Sequence, residues 1–318
     1  MTIKDVAKKA GVSISTASYA LNNRPNVHPT TKDKVLKAAE ELNYYPNAHA
    51  RNLKSQKSGN IGVFIYGFGG PIFSDLLEGI NLELQKKKYN IIVSSGDSSS
   101  VMLRERSVDA AVIFDGNISD EEIIRFSNRN PIVVLDRYLE GENIYHSRIQ
   151  NEKLVYDFIT QMIDTKHYRR FGYLSGPEDS FNNIERYKGF QKALLDKGIS
   201  QYDYIKGDFT IDSGYESAVK LFKDKKLPEF IYCANDELAV GVLKALNEVG
   251  ISVPNDVAIA GFDGIQLTDF VTPKLTTIKI NHFEWGRQIA GYLTRLLTNI
   301  NVYPLTNPEA TIVIGESV

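Results

Sequence analysis

Between Gly11 and Asn22 the chain carries hydroxyl and amide groups at Ser13, Ser15, Thr16, Ser18, Tyr19 and Asn22, with Ala17, Ala20 and Leu21 spaced to form a buried face. Hydroxyls and amides both donate and accept hydrogen bonds. A short helix built this way presents a polar edge whose partners lie outside the protein. A second polar set is spread through the body, in Gly67-Phe68-Gly69-Gly70-Pro71, Asp136-Arg137, Ser175-Gly176-Pro177, Gly207-Asp208-Phe209, Asn235-Asp236-Glu237 and Gly261-Phe262-Asp263-Gly264. A carboxylate accepts paired bonds from neighbouring hydroxyls, an amide adds a donor and an acceptor, and an aromatic ring can lie on the C–H face of a sugar. Together they suit a polyhydroxylated ligand, although each alone is an ordinary turn or helix-cap residue.

Catalytic chemistry finds little support. The glycines after residue 66 hint at a nucleotide loop, but Ile72 stands where the dinucleotide fingerprint needs glycine and no phosphate-loop lysine follows. There is no Gly-x-Ser-x-Gly elbow and no His-Glu-x-x-His pair. The histidines His28, His49, His146, His167 and His282 are scattered, and Cys233 ends an apolar run as a buried, inert thiol would. Neither a metal nor a cofactor is expected, and an enzyme is the least favoured class.

The elements that position these groups follow from periodicity. Thr2 and Asp5 have capping-box spacing, Ile3, Val6, Ala7 and Ala10 form one face of a helix over 3–10, and Gly11 ends it. The next helix buries Ala17, Ala20 and Leu21 and leaves Ile14, Ser15, Thr16 and Tyr19 towards the open side. A third, over 31–42, turns Val35, Leu36, Ala38, Ala39 and Leu42 inward. Residues 48–57 have Leu53 as their one large apolar side chain, the composition of a tether that becomes helical only against a partner. From Gly59 onward strands and amphipathic helices alternate. The strands fall at 61–66, 91–95, 110–114, 132–135, 171–174, 204–206, 230–233, 257–260 and 310–314, with helices at 73–88, 120–128, 153–164, 184–197, 212–223, 237–249 and 285–297. This alternation predicts two doubly wound parallel sheets, with a ligand cleft beyond the carboxyl ends of their strands.

The charge is divided unevenly. Residues 1–60 hold ten Lys/Arg against four Asp/Glu, a net of +6, while the rest holds 27 against 35, so the overall −2 conceals a basic head on an acidic body. That division suits a head that meets a polyanion. One cysteine excludes an internal disulfide and fits a reducing compartment. Met1 leads into a polar capped helix and no stretch reaches the length of a membrane span, so a soluble cytoplasmic protein without membrane contact is expected.

Residues 1–60 resemble the lactose-repressor/galactose-repressor family of bacterial transcription regulators. The likeness rests on Ile3-Lys4-Asp5-Val6-Ala7, Ala10-Gly11-Val12-Ser13, Ser15-Thr16-Ala17-Ser18, Ala20-Leu21-Asn22, Lys34-Val35, Ala38-Ala39, Leu42-Asn43-Tyr44, Pro46-Asn47, Ala50-Arg51 and Leu53. It continues through Ser175-Gly176-Pro177, Arg186 before Gly189-Phe190, Gly207-Asp208-Phe209, Asn235 to Gly241, Gly261-Phe262-Asp263 and Leu275 to Ile278, and so spans essentially the whole chain. The resemblance implies a helix-turn-helix DNA-binding domain at 1–46, a hinge helix at 47–58, and an α/β effector-binding and dimerisation domain at 59–318. In the last, an N-subdomain comprises 59–147 and 280–306, and a C-subdomain 148–279 and 307–318, in the manner of periplasmic sugar-binding proteins.

The resemblance also assigns roles. Ile14, Ser15 and Tyr19 would read bases in the major groove and Ser13, Thr16 and Asn22 would hold phosphate, with Thr2, Ser18, His28, Asn47, Ala50 and Lys54 completing the DNA contacts. Leu53 would wedge into a minor-groove step. Tyr19 stands where many relatives carry arginine; it either reads a base or packs against Leu21 and Pro25. Effector contacts would be Phe73, Asp136, Asn182, Arg186, Phe209, Asn235 and Asp263. The stretch 98–107 is short for a helix that relatives carry in full. The implied protein is a homodimeric repressor of carbohydrate-utilisation genes, released from a pseudo-palindromic operator by a sugar or sugar derivative. A solute-binding protein without a DNA role, which the basic head opposes, and a global regulator needing a corepressor protein are the alternatives.

Overall fold

Three short helices, α1 (Ile3–Ala10), α2 (Ile14–Leu21) and α3 (Pro29–Glu41), build the first part of the chain. The computed structural model describes residues 1–45, 57–135, 137–224, 227–300 and 303–318, and the chain divides into two compact units, Met1–Ser58 and Gly59–Val318. The Asp5 carboxylate accepts hydrogen bonds from the Thr2 backbone N–H (2.8 Å) and hydroxyl (3.0 Å), which hold its pKa below the ordinary carboxylate value and satisfy the helix start. Gly11 closes α1 at φ 67°, a left-handed conformation that glycine adopts without a Cβ penalty. The core of this unit is Val6, Ala7, Ala17, Ala20, Val35, Ala38 and Ala39.

Two expectations are corrected here. Helix α3 starts at Pro29, because proline at the first helical position gives up only an amide that would lack a partner anyway. Leu36 does not turn inward; it is 43% exposed. The buried stripe runs through Val35, Ala38, Ala39 and Leu42, and one step of a helix carries Leu36 about 100° away from Val35.

The second unit contains two sheets. The first has strand order β2-β1-β3-β4-β5, from β1 (Asn60–Ile65), β2 (Asn90–Ser94), β3 (Ala110–Phe114), β4 (Ile132–Val134) and β5 (Ile144–His146), all pairs parallel. The second has order β11-β10-β9-β8-β6-β7, from β6 (Phe171–Leu174), β7 (Tyr202–Ile205), β8 (Phe230–Cys233), β9 (Ala258–Asp263), β10 (Thr276–Ile280) and β11 (Ala310–Val313). It is parallel except at its edge, where β11 runs antiparallel to β10. An antiparallel strand completes the edge without a covering crossover helix on that sheet.

The helices are α4 (Pro71–Lys86), α5 (Asp97–Arg104), α6 (Asp120–Ser127), α7 (Asn151–Lys166), α8 (Phe181–Asp196), α9 (Ile211–Asp224), α10 (Asp236–Glu248) and α11 (His282–Thr298). Helices α4 and α11 pack backbone against backbone through glycine. A Cβ on Gly79 would lie 2.0 Å from the Phe283 carbonyl oxygen, and one on Gly286 would lie 2.2 Å from that of Leu76. The chain therefore passes from the first sheet to the second after β5, returns to the first layer for α11, and ends on the second sheet. These passages are tied side by side: Trp285 Nε1 donates to Ser147 Oγ (2.6 Å), which donates to the Thr306 carbonyl (2.7 Å), and the Arg148 N–H donates to Asn307 Oδ1 (3.0 Å). Among the described residues no helix is long and apolar enough to cross a membrane.

Candidate functional site

The exposed edge of α2 is set by its cap. Ser13 Oγ accepts the Thr16 N–H at 3.0 Å and also lies 2.8 Å from both the Ser15 and Thr16 hydroxyls, so three hydroxyls are ordered at the helix start. Burial of Ala17 and Ala20 fixes the helix rotation and leaves Ser13, Ile14, Ser15, Tyr19 and Asn22 exposed, with Thr16 and Ser18 at the margin. Tyr19 is 47% exposed. Asn22 Nδ2 donates back to the Ser18 carbonyl at 2.7 Å. Thr2 and His28 are exposed at the starts of α1 and α3, where His28 Nδ1 lies 2.9 Å from the Thr30 hydroxyl. Asn47, Ala50, Leu53 and Lys54 lie outside the described residues.

In the body, the strand ends of the two sheets face one another. Burial raises the pKa of Tyr66, which follows β1, and the negative charges of Asp263 and Glu237 from the second sheet's side raise it further. At the centre is Arg186 of α8, whose side chain is 4% exposed. Its Nε donates to Asn151 Oδ1 (2.9 Å), its Nη1 to the Ala234 carbonyl (2.5 Å) and its Nη2 to Asp263 Oδ1 (3.1 Å). The guanidinium lies 3.7 Å from the centroid of the Phe262 ring and 6.0 Å from that of Phe209. Burial pushes the Asp263 carboxyl up and the Arg186 charge opposes it. Asp263 Oδ2 has no hydrogen-bond partner among the described residues.

Two backbone conformations accompany this arrangement. Asp263 has φ 107° and Phe209 φ 72°, both unusual for residues with side chains, and such strain concentrates at binding sites. The Phe209 ring lies over Gly176, where a Cβ would come within 2.3 Å of two ring carbons. Asn235 is committed internally: its Oδ1 caps α10 by accepting the Leu238 N–H (3.0 Å) and its Nδ2 donates to the Phe209 carbonyl (2.9 Å). Asn182 Oδ1 accepts from Asn151 Nδ2 (2.9 Å). Phe73 is 2% exposed and packs edge-on against Tyr66 (5.0 Å) and Phe114 (5.5 Å), so it supports the Tyr66 ring. Asp136 lies outside the described residues.

The sequence reading gave no site role to Asn151 or His282, and named Asp236 only as a member of the Asn235-Asp236-Glu237 loop. Asn151 joins Arg186 to Asn182. Buried Asp236 accepts from the Gly264 N–H (2.7 Å), the Ile265 N–H (2.9 Å) and the Thr277 hydroxyl (2.6 Å), and so holds the turn after Asp263. His282 is 4% exposed, with its Nε2 unpartnered among the described residues, and burial and the Arg186 charge push its pKa down to about 4. Asn151 lies just before the helix expected at 153–164 with nothing in the local sequence to single it out, and His282 is one of the scattered histidines. No group of three or more His, Cys, Asp or Glu among the described residues is placed to hold a metal ion.

Residues 2–47 match the bacterial regulatory proteins of the lacI family, and residues 160–318 match a periplasmic binding protein-like domain. Catabolite control protein A of Priestia megaterium is 33% identical over 313 residues, covering 95% of this chain and 94% of that protein. The crystal structure of a sugar-binding transcriptional regulator of the same family from Enterococcus faecalis superposes with a TM-score of 0.73 at 34% identity, over 81% of this chain and 97% of that one. A family regulator from Silicibacter pomeroyi does so with a TM-score of 0.87 at 26% identity, over all of this chain and 99% of that one. An exposed polar helix on a basic head, a two-sheet body with an Arg-Asp pair at its strand ends, and these full-length likenesses lead to one assignment: the chain belongs to the lacI family of bacterial regulatory proteins.

Proposed function

We propose that the chain is a homodimeric cytoplasmic repressor of carbohydrate-utilisation genes, that α2 reads its operator, and that a small carbohydrate in the body cleft releases it. The observation that carries this reading is the Arg186-Asp263 pair. Arg186 is held in place by Asn151 and Ala234 with its guanidinium 6.0 Å from the centroid of the Phe209 ring, while Asp263 pairs with it through one oxygen only among the described residues. A carboxylate with a spare oxygen and a neighbouring ring can take two hydroxyls and a C–H face at once. Arg186, Asp263 and Phe209 are the proposed ligand contacts, with Asn182 and Asn235 orienting them and Phe73 backing Tyr66; Asp136 is proposed with them on the sequence resemblance alone.

On the head, Ile14, Ser15 and Tyr19 face the base edges while Ser13, Thr16, Ser18, Asn22, Thr2 and His28 meet the backbone. Asn47, Ala50, Leu53 and Lys54 supply the hinge contacts. Ligand binding changes the relation of the two body halves and so the spacing of the paired heads, with a coupling of about 1–3 kcal/mol. The protein catalyses no reaction and needs no metal or cofactor. The sugar-binding regulator from Enterococcus faecalis and the basic head support this reading.

The test is fluorescence anisotropy of the full chain on a duplex from its own promoter, with a panel of sugars titrated in. Release by one sugar, lost in Phe209→Ala, is the expected result. Operator binding that no sugar alters and that needs a second protein would overturn the sugar-released reading.

A further inference from the structure

Beside the Arg186 cluster lies a cavity of about 590 Å³, bounded by Tyr138, Arg148, Asn151, Phe181, Glu185 and Asn307 among others. Its volume lies within the range of small-molecule sites. Arg148 sits on the passage between the two halves, and its guanidinium lies over one ring from each: 5.5 Å from the centroid of Tyr138, which follows β4, and 5.7 Å from that of Phe181, which opens α8. Tyr138 is itself backed by His146, stacked at 4.9 Å and 22°. A guanidinium held by its faces offers its N–H donors in the plane, the geometry that grips carboxylate or phosphate.

The other charges around the cavity already have partners. Lys153 pairs with Asp157 (2.5 Å), Glu185 with Lys188 (2.8 Å), and Lys192 with Glu152 (3.9 Å). Arg148 has no carboxylate within ion-pair distance among the described residues. The cavity shares a residue with the proposed sugar site, because Asn151 lines it and accepts the Arg186 Nε–H.

We infer that the effector is an anionic carbohydrate, a sugar bearing a carboxylate or a phosphate, and that Arg148 binds the charged group while Arg186, Asp263 and Phe209 hold the ring. This rests on the cleft being a sugar site. Arg148 is therefore a specificity-determining residue: it selects charged over neutral sugars.

The test is calorimetric titration of the full chain with glucuronate, galacturonate and glucose 6-phosphate against glucose and galactose, repeated on Arg148→Gln, Arg148→Lys and Phe209→Ala. At least one charged sugar should bind tenfold or more tighter than its neutral parent. That advantage should vanish in Arg148→Gln, survive in part in Arg148→Lys, and fall together with all sugar binding in Phe209→Ala. A preference confined to the uronates identifies a carboxylate, and one confined to glucose 6-phosphate a phosphate. Neutral parents binding as tightly as charged sugars, or an Arg148→Gln variant that keeps the preference, would overturn the anionic assignment and leave the sugar site standing. No binding by any of the five probes would overturn both.

Discussion

His282 gives the second unit a pH dependence that can be worked from its surroundings. The ring is 4% exposed, lies 6.1 Å from Trp285, and bonds through Nδ1 to the Ile280 carbonyl at 3.2 Å. Burial first, and the Arg186 charge second, push its pKa from 6.5 down to about 4. The native protein therefore refuses a proton that the unfolded chain accepts between those values. Stability contributed by this group is complete above pH 6.5 and is lost as pH falls towards 4, by about 1.4 kcal/mol per pH unit and about 3 kcal/mol in all. Urea unfolding followed by the fluorescence of Trp285, the single tryptophan and a neighbour of His282, measures this directly. His282→Phe keeps an aromatic ring beside Trp285 and removes the titration. It should cost about 1 kcal/mol at pH 7 through the lost bond to Ile280, and should recover relative to wild type as pH falls to 4.5. Equal pH slopes in wild type and variant between pH 6.5 and 4.5 would refute a buried neutral His282 beside Arg186.

Three further outcomes are expected. Gly176→Ala places a Cβ 2.3 Å from the Phe209 ring and must displace it, so sugar affinity should fall at least tenfold by calorimetry while operator binding without sugar persists; unchanged affinity would remove Phe209 from the site. Ser13→Ala removes the α2 cap and should destabilise the first unit by about 1 kcal/mol, seen as faster amide exchange in α2 and weaker operator binding by anisotropy. Gly79→Ala drives a methyl into the Phe283 carbonyl of α11 and should cost at least about 1–3 kcal/mol in urea unfolding; a neutral effect would mean the two helices separate without penalty.

Periodicity and turn chemistry made the helix-turn-helix, the alternation of the body and most strand positions legible, because each depends on neighbours three or four residues apart in a helix or two apart in a strand. Strands β5 and β10 and helix α5 escaped that reading. The first is three residues long, and α5 is an eight-residue helix containing Ser98, Ser99 and Ser100, whose periodicity is faint. Leu36 was misplaced for a related reason: composition marks it as core, but only the packing of α1 and α2 against α3 decides which stripe is covered.

The polar strand-end loops were visible as a candidate ligand-binding set from residue type alone, and the basic head from charge counting. Which of their members act together was decided by the tertiary structure. Arg186, Asn151, Ala234 and Asp263 are far apart in the chain, and their hydrogen bonds exist because α8 and the ends of β8 and β9 converge. The same convergence occupies Asn235 as a helix cap, buries His282 as a neutral ring, and sets Arg148 between aromatic rings from the two halves. Sequence determines the local elements and the chemistry each can carry. Only long-range packing determines which charges are paired and which oxygen of Asp263 lacks a partner among the described residues.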